Sequence, residues 1–149
     1  MSNCCTTTIT INGDSDDVER LGNLIEEAQR QLYINTMSKG RWLGNVCIYA
    51  GISSIDDAIK GKPRCKGEID CFDSYDDNSL TIYTTTAWVP MLEMWKLIIE
   101  KHFPDMEIIY SCEEPGAMIY WTNDPTLVGE RVDGSEYEYM SIEGVIARE

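Results

Sequence analysis

The residues most suggestive of acid–base chemistry are the adjacent carboxylates Glu113 and Glu114, which a Pro-Gly pair follows directly. Two carboxyl groups can hydrolyse a glycosidic bond when they face each other across the substrate. Neighbouring strand residues point to opposite faces, so adjacency argues poorly for such a pair. The pattern is more typical of a strand that ends in a turn, with Gly116 supplying a positive φ. A weak hydrolase using Glu113 or Glu114 is the catalytic alternative.

The other chemistry-bearing residues also favour structural roles. His102 is the only histidine, which excludes a histidine-pair metal site and favours capping of a helix C-terminus over a lone general base. The run from Asp73 to Asn78 lacks the glycine and the bidentate glutamate of a calcium loop and predicts a hairpin turn. The six cysteines include no Cys-x-x-Cys spacing and are expected to be free thiols. We therefore predict no catalytic residue, metal site or cofactor.

The chain is strongly acidic, with a formal net charge of −14. Residues 105–149 hold eleven of the 26 acidic residues but only two of the twelve basic ones. This balance disfavours direct binding to nucleic acid and to acidic membranes. It favours a protein partner with a basic surface, although solubility alone is the simpler explanation. The basic run Lys60–Lys66 contains Gly and Pro and predicts a solvent-facing loop, with phosphate contact as the alternative.

Aromatic and acidic residues alternate in the C-terminal third of the chain. Aromatic rings can anchor a protein interface while carboxylates steer the approach of a basic partner. Core packing of the rings is the alternative role. The candidate interaction residues are Tyr120, Trp121, Asp124, Glu130, Glu136, Tyr137, Glu138 and Tyr139.

Hydrophobic periodicity predicts the elements that must position these residues. Alternation over 6–12 predicts a strand, and an apolar stripe over 15–32 predicts a helix capped by Ser15 or Asp16. Residues 42–52 fit a short helix or a buried loop. The remaining predictions are a hairpin over 67–86, a helix from Pro90 to Pro104, strands over 107–112 and 118–122, an edge strand over 137–140 and a short helix capped by Ser141.

The order of these elements predicts an α+β fold. A strand, a helix, an insertion at about 33–66, a hairpin, a helix and two further strands match the split βαβ arrangement of ferredoxin-like folds. In that arrangement an antiparallel sheet packs on two helices. We therefore expect one domain over residues 1–149, with a C-terminal extension beyond the ferredoxin-like unit.

Four segments also resemble the YubB-type ferredoxin-like domain family of small plasmid and phage proteins. They are Ala87-Trp88-Val89-Pro90, Phe103-Pro104-Asp105 followed by Glu113-Glu114-Pro115-Gly116, and the opening Asn3–Gly13. The resemblance covers about two-thirds of the chain, weakens between Tyr33 and Lys66, and lacks a Trp-Gly-Thr-Lys-Trp motif there. It implies a ferredoxin-like fold and a mobile-element setting, and it transfers no catalytic residue.

The N-terminal residues lack the basic and apolar regions of a secretory signal, and no apolar run approaches membrane-spanning length. We therefore expect a cytoplasmic protein that does not contact membranes. The leading functional hypothesis is a non-enzymatic, acidic protein-binding module. One form of it inhibits a host nucleic-acid-binding defence protein such as a restriction or CRISPR effector. The alternatives are a homo-oligomer that pairs through sheet edges and the weak hydrolase.

Overall fold

The helices and strands of this chain follow the predicted order closely. A computed structural model describes residues 4–30, 41–52, 67–132 and 134–149. The strands are β1 Cys4–Asn12, β2 Gly67–Asp76, β3 Ser79–Ala87, β4 Glu107–Glu114, β5 Ile119–Thr122, β6 Arg131–Val132, β7 Ser135–Glu136 and β8 Glu138–Tyr139. The helices are α1 Ser15–Arg30, α2 Leu43–Tyr49, α3 Leu92–His102 and α4 Ile142–Ile146.

Six strands form one mixed sheet in the order β2-β3-β1-β4-β5-β8. β1 pairs antiparallel with β3 over nine residues and antiparallel with β4 over seven. The hairpin partners β2 and β5 extend the sheet on either side, also antiparallel. β8 pairs in parallel with β5. The connection between the two strands contains the small β6–β7 hairpin, and the chain enters β8 in the same direction as β5. The prediction of a purely antiparallel sheet is therefore wrong at this edge.

One face of the sheet carries the hydrophobic core. Alternation along β1 buries Ile9 and Ile11 and turns Thr8 and Thr10 to the other face. The buried isoleucines join one core cluster with Leu21 of α1 and Trp95 of α3. The described residues include two further α-helices, α2 and α4, besides the two that were predicted to cover the sheet.

Asp14 caps α1, which corrects the prediction of Ser15 or Asp16. Its carboxylate Oδ1 accepts a hydrogen bond of 2.9 Å from the backbone N–H of Asp17. The turn at Gly13 places Asp14 one residue before the helix, where a short acidic side chain satisfies a free N–H group. The predicted end of the first helix at Leu32 and the predicted Lys60–Lys66 loop lie outside the described residues. For residues 42–52, α2 confirms the short-helix alternative.

The helix predicted to start at Pro90 begins two residues later. Met91 precedes it in a left-handed conformation with φ of 64° and contributes no side-chain cap. The carboxylate of Glu149 takes the capping role, because its two oxygens accept from the N–H groups of Leu92 at 2.8 Å and Glu93 at 3.1 Å. A residue 57 positions away in sequence therefore closes the helix N-terminus.

The turn after β4 differs in its chemistry from the prediction. Pro115–Ala117 form a single 3₁₀ turn, and Glu114 Oε2 accepts a hydrogen bond of 2.5 Å from the N–H of Ala117. The positive φ lies at Met118, at 57°, and Gly116 has none. The 3₁₀ turn moves the left-handed position to the residue that follows it.

Gly22 lies at the middle of α1 without a steric requirement for glycine. A Cβ added there would meet no described atom within 4 Å. We expect Gly22→Ala to raise the free energy of unfolding by about 0.5–1 kcal/mol, since alanine loses less conformational entropy in a helix. Urea unfolding measures this change. Gly44→Ala is the control, because a Cβ on Gly44 of α2 would collide with the Trp42 ring and should lower stability.

The Glu149 cap should make stability depend on pH. Burial raises the pKa of the Glu149 carboxyl above its ordinary value of 4.5, partly opposed by the backbone hydrogen bonds. The folded state then binds this proton more tightly than the unfolded state, so ionisation as pH rises lowers stability. We expect the stability of the native chain relative to Glu149→Gln to be highest below pH 4.5 and to fall as the pH rises above that value through the raised pKa of the folded chain. Glu100→Gln, at an exposed position, is the control. A stability difference between the native chain and Glu149→Gln that does not change with pH would contradict the prediction.

Candidate protein-interaction surface

Tyr120 and Trp121 lie on opposite faces of β5. Cys112, which opposes Trp121 in the β4–β5 register, belongs to the main core cluster, and Trp121 packs against that cluster. The guanidinium of Arg148 covers the Trp121 ring, 5.6 Å from its centroid. Glu113 opposes Tyr120 on the other face. The predicted Tyr120-Trp121 pair is therefore divided between two environments.

Tyr120 and Tyr137 are both neighbours of Glu113, Tyr120 through the β4–β5 register and Tyr137 through a hydrogen bond. Each tyrosine is 9 % exposed, and neither belongs to the main core cluster. The Tyr137 hydroxyl donates a hydrogen bond of 2.5 Å to Glu113 Oε2. Burial, reinforced by this hydrogen bond to a carboxylate, raises the pKa of Tyr137. The hydrogen bond ties Tyr137 to β4, and both aromatic rings are buried in the chain rather than presented to a partner.

Asp124 and the β6–β7 hairpin shape the segment that reaches β8. Asp124 Oδ1 accepts hydrogen bonds from Thr126, at 2.9 Å from its N–H and 2.8 Å from its hydroxyl. The backbones of Glu130 and Tyr137 pair through a bond of 3.0 Å. Asp124 therefore stabilises a turn, and the later β6–β7 hairpin exposes the side chains of Arg131 and Glu136.

The predicted residues left at the surface form what we call the acidic edge, namely Glu130, Glu136, Glu138 and Tyr139. Tyr139 is 58 % exposed on β8, and the three carboxylates are exposed as well. Glu136 pairs with Arg131 at 3.0 Å, whereas Glu130 and Glu138 form no ion pair with a described residue. The exposed Tyr139 ring offers an apolar anchor, and the carboxylates of Glu130 and Glu138 add an attractive potential for a basic partner.

Two further large apolar side chains are exposed at one end of the sheet. Trp88 is 60 % exposed after β3, and Met118 is 79 % exposed after β4. Both strands pair at these ends with the first residues of β1. Both residues adopt left-handed backbone conformations, with φ of 70° and 57°. No sequence signal predicts a left-handed tryptophan at the exit of a strand.

Glu113 and Glu114 occupy opposite faces of β4. Glu113 accepts a hydrogen bond from Tyr137, whereas Glu114 is 1 % exposed and its Oε1 has no hydrogen-bond partner among the described residues. Two carboxylates on opposite faces of one strand cannot act on the same bond of a substrate. Either residue alone would have to carry the proposed hydrolase chemistry.

The remaining reactive groups are dispersed over the described residues. The His102 ring lies 2.7 Å from the Ala50 carbonyl, at the C-terminus of α3 as predicted. Cys5, Cys47 and Cys112 are buried, and Cys71 is exposed. The thiols of Cys5 and Cys112 share a hydrogen bond. This bond lowers the pKa of Cys5 and, together with burial, raises the pKa of Cys112. Within the described ranges no three His, Cys, Asp or Glu residues are placed to hold a metal ion.

No helix in the part of the chain that the structure describes is long and apolar enough to cross a membrane. Comparison with protein-family models, with curated proteins and with solved structures returned no match. The function of the chain must therefore be argued from its own residues.

The Tyr137–Glu113 bond yields a prediction with a matched control. Tyr137→Phe should lower the free energy of unfolding by about 1–2 kcal/mol, because a half-buried carboxylate loses its hydroxyl donor. Tyr139→Phe removes the same hydroxyl two residues away, where the ring is exposed. It should change stability by less than about 0.5 kcal/mol. Equal effects in urea unfolding would show that the bond does not anchor this segment.

Proposed function

We propose that this chain is a non-enzymatic, cytoplasmic module that binds a protein with a basic surface. The observation that carries the proposal is the acidic edge, where Tyr139 is 58 % exposed on the outermost strand and the exposed Glu130 and Glu138 form no ion pair with a described residue. Interface anchors are commonly aromatic, and unpaired carboxylates attract a basic partner over a Debye length. The same charges repel nucleic acid.

The net charge supports a more specific form of the proposal. A chain of charge −14 can compete with nucleic acid for a basic groove, because both present closely spaced negative groups. We propose that the partner is a nucleic-acid-binding defence protein, such as a restriction or CRISPR effector. The YubB-type resemblance, with its mobile-element setting, supports this choice of partner.

We also propose that the sheet and its two longer helices form a ferredoxin-like unit. The support is the order β2-β3-β1-β4 with antiparallel pairing throughout. The two helix-containing connections, from β1 to β2 and from β3 to β4, each skip one strand, and the hairpin joins the neighbours β2 and β3, as the split βαβ arrangement requires. The short strand β8 and the helix α4 then belong to a C-terminal extension, which supplies the exposed ring of the acidic edge.

A homo-oligomer formed through sheet edges is the second candidate. The ten-residue strand β2 lies at one end of the sheet and pairs with β3 alone among the named strands. The chain covers its beginning, because the N–H of Ile69 donates to the carbonyl of Arg41 at 2.9 Å. Asp70, Asp73 and Asp76 are exposed beyond that point and would repel a second copy. These charges favour the acidic-module proposal over edge pairing.

Affinity capture from a host lysate tests the proposed function. We expect proteins of basic surface to be retained at about 0.05 M salt and largely released at about 0.3 M. Neutralising the edge with Glu130→Gln, Glu136→Gln and Glu138→Gln should reduce retention mainly at low salt. Tyr139→Ala should weaken binding of the captured protein about tenfold, the loss typical of an aromatic anchor.

Glu100→Gln is the matched control, since it removes an exposed carboxylate of α3 away from the acidic edge. Purified captured protein should lose affinity for its own nucleic acid when the native chain is added. The proposal is contradicted if no protein is retained at low salt, or if the edge variants and the Glu100 control behave alike.

A further inference from the structure

A groove separates α1 from the β2–β3 hairpin on the helix-covered side of the sheet. Its volume is about 380 Å³, at the small end of the range typical of ligand sites. Phe72 of β2 opposes the buried Ile82 in the β2–β3 register, so it belongs to the helix-covered face, yet its ring is only half-buried. Because β2 is the edge strand, α1 leaves part of this face open.

The floor of the groove is apolar. Val18 of α1 and Leu80 of β3 line it and are almost fully buried, and Phe72 packs against the same core cluster. Phe72 is only half-buried, so part of its side chain is open to an occupant from outside. Apolar contact there favours a ligand with a hydrocarbon portion.

The rim of the groove is acidic. Glu19 and Glu26 line it from α1, and Asp73 and Asp77 line it from the hairpin, whereas no basic residue lines it among the described residues. Arg30 pairs with Glu26 at 3.1 Å, but Glu19, Asp73 and Asp77 form no ion pair with a described residue. A concave surface with charges of one sign concentrates their field and attracts cations.

Gly22 keeps the centre of the groove open. It lines the groove from the middle of α1, and a Cβ at this position would meet no described atom within 4 Å. Glycine is unfavourable in a helix interior, and packing gives no reason for it here. The absent side chain enlarges the space between the helix and the hairpin, which is a second observation independent of the charges.

We infer that this groove accepts a lysine or arginine side chain of a protein partner. The hydrocarbon part of such a side chain would lie on Phe72 and Leu80, and its charged end would meet Glu19 and Asp77. A metal ion fits less well, because no three acidic residues of the described chain are placed to ligate one. The inference rests on the proposed binding of a basic protein and assigns it a contact distinct from the acidic edge.

NMR titration of the full chain with an end-capped hexalysine peptide tests the inference, with a hexaserine peptide as the neutral control. At an ionic strength of about 0.02 M, we expect shifts concentrated at the amides of Gly22, Ser74 and Asp77. Gly22→Leu, which fills the groove and keeps every charge, should abolish the shifts at Ser74 and Asp77. Unchanged shifts in that variant would overturn the inference.

Charge variants keep the test informative if Gly22→Leu perturbs the fold. Glu19→Gln combined with Asp77→Asn should weaken hexalysine binding about fivefold, in line with the loss of exposed ion pairs. Asp16→Asn removes an exposed carboxylate from the same helix outside the groove and should leave binding unchanged. Equal effects of the double variant and of the Asp16 control would overturn the inference.

The location of the shifts separates this inference from the proposed function. Shifts confined to the acidic edge would overturn the groove and leave the proposed function standing. Shifts spread over all acidic surfaces, or none at all, would show attraction without a site and overturn the groove. If spermine saturates the groove at a lower concentration than hexalysine does, the occupant is a small polyamine. That result would overturn the inference that a protein side chain binds there.

Discussion

The antiparallel pairing of β1 on both of its edges is the constraint on which the rest of the structure depends. Its nine residues align β3 on one side and β4 on the other, so both hairpins take their register from it. Because side chains alternate along a strand, this register also decides which residues of four strands face α1 and α3. A slip of one residue would turn Ile9 and Ile11 away from the core and bring threonines into it.

The C-terminal segment depends on the same framework through a few specific contacts. Tyr110 of β4 donates from its hydroxyl to the Met140 carbonyl at 2.7 Å, and the N–H of Met140 donates to Thr122 at 2.9 Å. Glu149 then reaches the N-terminus of α3. These anchors hold the backbone of the extension while leaving Tyr139 and the carboxylates of the acidic edge at the surface. A rigid support for exposed side chains suits recognition of a partner.

Most of the fold was predictable because its signals are local. Alternating Thr and Ile indicate β1, an apolar stripe indicates α1, and Asp-Asp-Asn between two alternating runs indicates the β2–β3 hairpin. The candidate surface was predicted only in part, since Tyr120 and Tyr137 are buried whereas Tyr139 is exposed. Three tyrosines of one region look alike in sequence, and burial depends on which face each strand position takes.

The sequence by itself determined the order of the elements, the buried stripe of each and the excess of negative charge, because periodicity and composition are carried by neighbouring residues. Only the tertiary structure decided that Glu149 caps α3, that Trp121 lies under Arg148, and that Gly22 opens onto a groove lined by Phe72. Each of these contacts joins residues far apart in the chain. Their positions follow from the pairing of strands, which no local pattern records.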